Sequence, residues 1–166
     1  QMNDPAYFYQ LNDKIEFDTI FSDLLKRRFL DLRKTDAAGL RDFCRGTEAI
    51  FCKPAGLCGG EGIQRLATAE ITDYDALYDQ LVKNGQLLIE EPIRQHPDMN
   101  RLCPDSVNTV RIVTLVTEQG AQMVYALVRM GMGGVCVDNV SSGGMYAPVN
   151  EHGQLYRPAF CDKTGK

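Results

Sequence analysis

The stretch Ala49-Ile50-Phe51-Cys52-Lys53-Pro54-Ala55-Gly56-Leu57-Cys58-Gly59-Gly60-Glu61-Gly62-Ile63 decides how the rest of the chain is read. Its first five residues are an apolar run closed by Pro54, which predicts a strand. A glycine-rich loop follows, and Ile63 to Leu66 is the returning strand of a hairpin. Glycines without Cβ let backbone N–H groups approach an anion closely, and Lys53 at the strand end adds a positive charge. Two readings stand side by side: a hairpin that cradles phosphate, or a flexible hairpin whose lysine is merely solvated. The loop is neither a GxxxxGK[ST] loop nor a GxGxxG turn that opens a helix.

Upstream, Phe17, Ile20, Phe21, Leu24, Leu25, Phe29 and Leu32 recur at three- and four-residue steps and predict an amphipathic helix, with Lys26-Arg27-Arg28 on its solvated face. Thr35-Asp36 signals the start of a second helix, which runs through Leu40 and Phe43 and ends near Gly46. Downstream, Thr72-Asp73 opens a third helix closed by Asn84-Gly85, and Gln86 to Glu90 is a buried strand stopped by Pro92. From Asn108 the chain turns strand-rich. Val110–Val116 and Met123–Met130 predict an antiparallel hairpin, Val135 to Val140 continues the meander, and Met145–Val149 pairs with Gln154-Leu155-Tyr156 around Glu151-His152-Gly153. The class is α+β with a mainly antiparallel sheet.

Three further segments carry candidate chemistry. Glu90 and Glu91 alternate faces at a strand end, so at most one points inward; one of them accepts from ribose hydroxyls, or both are ordinary surface acids. Arg111, among Val110, Ile112 and Val113, requires an anionic ligand, a structural ion pair, or the edge of the sheet. The loop Asp138-Asn139-Val140-Ser141-Ser142-Gly143-Gly144 either offers amide and hydroxyl donors to a ligand or is a plain turn. His96, in His96-Pro97-Asp98, reads as part of a turn, and no Ser/His/Asp or Cys/His constellation can be drawn.

Composition bounds these readings. With 166 residues, 44% hydrophobic and 24% charged, the chain has the make-up of a folded globular protein rather than a disordered one. A formal net charge of −4 argues against a general nucleic-acid binder or a polybasic membrane anchor. No apolar run is long enough to span a bilayer, and the start at Gln1 shows no secretory signal. The six cysteines include no CxxC and form no metal-ligand pattern with the two histidines. Cys52 and Cys136 lie in apolar runs and read as buried, reduced thiols, from which a cytoplasmic setting is expected.

Taken as a series, Phe51-Cys52-Lys53-Pro54-Ala55, Cys58-Gly59-Gly60-Glu61-Gly62-Ile63 and Leu88-Ile89-Glu90-Glu91-Pro92-Ile93 resemble an ATP-grasp domain. The run Ser106 to Leu115 and the loop Val137 to Gly144 narrow the likeness to the sugar-transfer-associated ATP-grasp family, relatives of the glutamate-ligase type of carboxylate–amine ligase. The likeness covers Asp13 to Gly153. It implies an N-terminal helical segment over residues 1–46, a lid subdomain with its hinge over 47–93, and the first part of the catalytic subdomain over 94–166. It also implies that Lys53 contacts the α- and β-phosphates of ATP, and that Gly59, Gly60 and Gly62 form a lid over the γ-phosphate. The backbone from Glu90 to Ile93 would read adenine, and Glu90 or Glu91 would take the ribose. Lys14, in Asn12-Asp13-Lys14, is similar to the family's earlier nucleotide lysine, and Arg111 with Asn139 would sit near the acyl phosphate formed from a carboxylate.

The implied partners are a small-molecule carboxylate and an amine or similar nucleophile, in polysaccharide or peptide modification. A non-catalytic module of the same fold that binds a nucleotide or a partner protein is the alternative. The family's magnesium ligands lie on later strands, and the residues up to Lys166 contain neither set. No metal ligand is therefore assigned here, and the expectation is that this chain is the front part of a longer enzyme.

Overall fold

The computed structural model describes residues 4–57, 59–134 and 138–161. The chain divides between Ile93 and Arg94 into two compact units. In the first unit four strands, β1 (Phe29–Asp31), β2 (Ala49–Lys53), β3 (Gln64–Ala67) and β4 (Leu88–Glu90), form one antiparallel sheet in the order β1-β4-β2-β3. Helices α1 (Phe8–Asn12), α2 (Lys14–Ile20), α3 (Ala37–Cys44) and α4 (Tyr74–Lys83) accompany it. The two-residue alternation of β2 sends Ile50 and Cys52 into a core with Leu32, Leu40, Phe43, Cys44, Leu81 and Ile89. Asp36 and Asp73 start α3 and α4 by accepting from the N–H groups of Gly39 and Ala76, at 3.0 and 2.9 Å, which satisfies donors that a first helical turn leaves open.

The predicted helix from Phe17 to Leu32 is corrected: α2 ends at Ile20, and Phe29–Asp31 is a strand that pairs with β4. The apolar spacing misled because the stripe is not buried as one face; Ile20 and Leu24 are exposed. Pairing beside β4 satisfies the backbone of Phe29–Asp31 in a ladder, and of the preceding Lys26-Arg27-Arg28 the structure turns Arg27 inward. Arg28 lies over the Phe43 ring at 4.9 Å and donates to the Phe43 carbonyl, and the Arg27 side chain is only 18% exposed. The solvated-face reading of this basic triplet is therefore corrected for Arg27 alone, since Lys26 and Arg28 are exposed.

The second unit has a short helix α5 (Pro97–Asn100) and an antiparallel sheet of β5 (Thr109–Thr117), β6 (Gly120–Met130) and β7 (Met145–Val149), in that order. The predicted hairpin forms, with a register shift between Val113 and Thr114, and a bridge from Val149 to Leu155 closes the last turn. Of the predicted strand from Val135 to Val140, residues 135–137 lie outside the described residues and Val140 begins a 3-10 turn. Asn108, buried before β5, donates through Nδ2 to the carbonyls of Met99 and Cys103, at 2.8 and 2.9 Å, and to Gln95 Oε1 at 3.2 Å. Cys44, Cys52 and Cys103 are buried free thiols, and burial pushes the Cys52 thiol up to about 12. Cys161 is exposed, and Cys58 and Cys136 lie outside the described residues. Among the described residues no helix is long and apolar enough to cross a membrane.

Candidate functional site

Strand register builds the first cluster. Phe51 stands opposite Glu90, and Lys53 opposite Leu88, so Lys53 and Glu90 are diagonal neighbours on the sheet face away from Ile50 and Ile89. The Glu90 carboxylate is 3% exposed and divides its oxygens: Oε1 accepts from Arg27 Nη2, and Oε2 from Lys53 Nζ. Asp18, from α2, lies beside them with Oδ1 3.7 Å from Arg27 Nη2. Its Oδ2 and the Nε of Arg27 are buried without a hydrogen-bond partner.

The two carboxyls are driven apart. Burial raises Asp18, the adjoining Glu90 raises it further, and Arg27 and Lys53 do not offset this; its pKa reaches about 7. Burial works on Glu90 in the same direction, but Lys53 and Arg27 outweigh it and hold that carboxyl below its ordinary range. Of the two carboxyls, Asp18 is therefore the one that takes up a proton more readily. A carboxyl whose folded pKa is raised contributes stability below its unfolded pKa and loses it as pH rises through the folded value. Wild-type stability should therefore decline as pH rises from about 4 through about 7. Asp18→Asn should remove that decline and gain about 2 kcal/mol at pH 8, with little gain at pH 4, in urea titrations at the two pH values.

The glycine-rich loop meets this cluster at the end of β2. Gly59, Gly60 and Gly62 all have positive φ, and at Gly62 a Cβ would lie 2.7 Å from Pro54 Cγ, so only glycine fits there. Gln86, buried, donates to the Gly62 carbonyl at 2.9 Å and fixes the loop's exit. Lys14 fixes its entry: its backbone N–H donates to Ala55 O at 2.9 Å, and its ammonium donates to the carbonyl of Leu57. Glu91 faces the other way from Glu90 and accepts from Arg28 Nε at 2.9 Å, while Ile93 is exposed. The sequence expectation that at most one of the two glutamates points inward describes this geometry.

In the second unit, Arg111 and Arg129 are on one face of the β5–β6 hairpin, since Thr109 is opposite Arg129 and Arg111 opposite Leu127. They line an open pocket of about 340 Å³ with Asn139, Ser141 and Tyr146. Arg129 donates to Asp138 Oδ1 at 2.8 Å and to Asn139 Oδ1, and Thr109 donates to Asp138 Oδ2. Asp138 is thus clamped, and the loop closes on Gly144, where a Cβ would lie 2.5 Å from the Asp138 carbonyl oxygen. Arg111 reaches solvent on the edge strand β5, and among the described residues no carboxylate pairs with it. The resulting cationic surface suits a phosphate or carboxylate.

Each unit therefore gathers part of the predicted set: Lys14, Lys53, the loop glycines and Glu90 in the first, Arg111 and Asn139 in the second. Arg27, Asp18 and Arg129 were not singled out in the sequence. Arg129, two residues beyond Leu127 in a strand that alternates, carried the same signal as Arg111; Arg27 and Asp18 carried none, because a false helix placed the arginine outside. Magnesium, implied by the resemblance, finds no fit here. Among the described residues no group of three or more His, Cys, Asp or Glu side chains could hold a metal ion, and Asp138 is taken by Thr109 and Arg129.

No curated protein matches the chain. A family model described as sugar-transfer associated ATP-grasp matches residues 1–165. With that match spanning essentially its whole length, over a mixed α+β fold with antiparallel sheets, the chain belongs to the sugar-transfer associated ATP-grasp family.

Proposed function

We propose that this chain is the ATP-binding part of an enzyme that activates a carboxylate as an acyl phosphate for attack by an amine or similar nucleophile. The observation that carries the reading is the placement of Lys53 at the end of β2, at the foot of the loop holding Gly59, Gly60 and Gly62. In this reading Lys53 binds the α- and β-phosphates, the loop covers the γ-phosphate, and Lys14 holds the loop's entry. The backbone from Glu90 to Ile93 reads adenine, with Glu91 nearest to a ribose hydroxyl.

In the second unit, Arg111 and Asn139 neutralise and orient an anionic group, as positioning and charge stabilisation supply most of phosphoryl transfer. A carboxylate oxygen attacks the γ-phosphorus as the bond to ADP breaks; the nucleophile then attacks the acyl carbon and phosphate leaves. The family's sugar-transfer description supports a place in cell-surface polysaccharide or peptide modification, and the buried thiols support the cytoplasm. The net charge of −4 supports small-molecule partners over nucleic acid.

A second reading, a module that keeps the fold without chemistry, draws on the Lys14 ammonium being spent on loop carbonyls. Calorimetry with ADP tests the shared part: Lys53→Ala should weaken binding at least tenfold, about 1.4 kcal/mol. An unchanged affinity in Lys53→Ala sinks the nucleotide site. Release of ADP from ATP in the presence of a carboxylate and an amine separates the enzyme from the module.

A further inference from the structure

Glu90 is a buried carboxylate with two cations, and the two are not equivalent. Lys53 comes from the sheet itself, ends beside the glycine loop, and is 21% exposed. Arg27 comes from the segment between α2 and β1, spans Glu90 and Asp18, and has its Nε buried with no partner. A lysine ammonium is a compact charge on a rotatable stem, whereas a guanidinium is a planar fork that stays where its several contacts fix it.

We propose that Arg27 is a positioning residue that keeps Glu90 neutralised, so that Lys53 is released from Glu90 to the phosphate chain of a nucleotide. The inference rests on the reading of Lys53 as a phosphate ligand. Among the described residues two cations, Arg27 and Lys53, face Glu90, so the cluster tolerates the departure of one. When phosphate oxygens draw Lys53 away, Glu90 Oε1 keeps its bond to Arg27 and no uncompensated charge is left in the interior. Without Arg27, Lys53 is the one remaining cation, among the described residues, on a buried carboxylate, and Glu90 retains it against the ligand. Arg27 therefore acts on phosphate binding without touching phosphate, and its effect depends on Glu90 being charged.

Calorimetry on the whole chain with two probes, ADP and adenosine, tests this. Arg27→Gln is expected to weaken ADP at least tenfold while adenosine, which carries no phosphate, changes less than twofold. In a Glu90→Gln background the same Arg27→Gln change is expected to alter ADP affinity less than threefold, because no buried charge then needs a counter-ion. ADP affinity within twofold of wild type in Arg27→Gln overturns the proposal, and so does an equal loss for ADP and adenosine. If circular dichroism shows Arg27→Gln unfolded, the double variant is compared with Glu90→Gln alone. A further tenfold loss there overturns the proposal, and equal affinity supports it. Wild-type chain that does not bind ADP, or Lys53→Ala that binds it unchanged, brings down the nucleotide reading and this proposal together. ADP binding that needs Lys53 but not Arg27 brings down this proposal alone.

Discussion

Glu90→Ala is expected to lower the unfolding free energy by about 3–5 kcal/mol at pH 7, as loss of one partner from a buried ion cluster does. The side chain is 3% exposed and is the shared counter-ion of Arg27 and Lys53, which are themselves only 18% and 21% exposed. Both cations would be left facing Asp18, whose proton would then come off at lower pH, because the neighbour that raised its pKa is gone. That compensation is partial, since Asp18 Oδ1 is 3.7 Å from Arg27 Nη2. Glu91, one residue on, provides the comparison. Its pair with Arg28 is 51% exposed on the arginine side, so Glu91→Ala should cost under about 1 kcal/mol. Urea titration reads both variants; a Glu90→Ala loss no larger than that of Glu91→Ala would mean that the cluster is solvated.

Asn108→Ala is expected to cost about 3 kcal/mol, read as a lower urea midpoint by circular dichroism. The Nδ2 group is buried and donates to the carbonyls of Met99 and Cys103 and to Gln95 Oε1. Truncation removes these bonds and leaves two carbonyls and an amide oxygen without that donor; each unsatisfied buried group costs about 1–3 kcal/mol, less whatever water recovers. Gln95 Oε1 still accepts from the Asn108 backbone N–H at 2.9 Å, so the damage should concentrate around α5. Hydrogen exchange should rise over residues 95–108 and stay near wild type in β6 and β7. Asn108→Asp should be at least as damaging, because it turns an acceptor toward the same carbonyls. A loss under about 1 kcal/mol for Asn108→Ala would show that these carbonyls find other donors.

Both residues show how far the sequence could be read. Asn108 stood in it only as the start of the strand-rich part, and nothing in the order of residues said that its amide would be spent on Met99 and Cys103. That at most one of Glu90 and Glu91 points inward was legible, because strands alternate faces; which one does, and with what partners, was not. The helices begun by Asp36 and Asp73 and the hairpin of β5 and β6 were legible because caps, turns and alternation act within a few residues. The segment from Phe21 to Leu32 was misread for the converse reason. Its apolar spacing fits a helix, while the choice of strand is made by β4, nearly sixty residues further on at Leu88–Glu90.

By itself the sequence determined an α+β chain, a lysine-ended strand leading into a glycine loop, and a motif series that identifies the family. These rest on local propensity and on order along the chain, which pattern carries directly. Only the tertiary structure decided that Arg27 and Asp18 meet Lys53 across Glu90, that Arg129 joins Arg111, and that Lys14 holds the loop rather than standing open beside it. Those outcomes depend on strand register and on the energy of bringing charges out of water together, and both are fixed by pairings between distant segments.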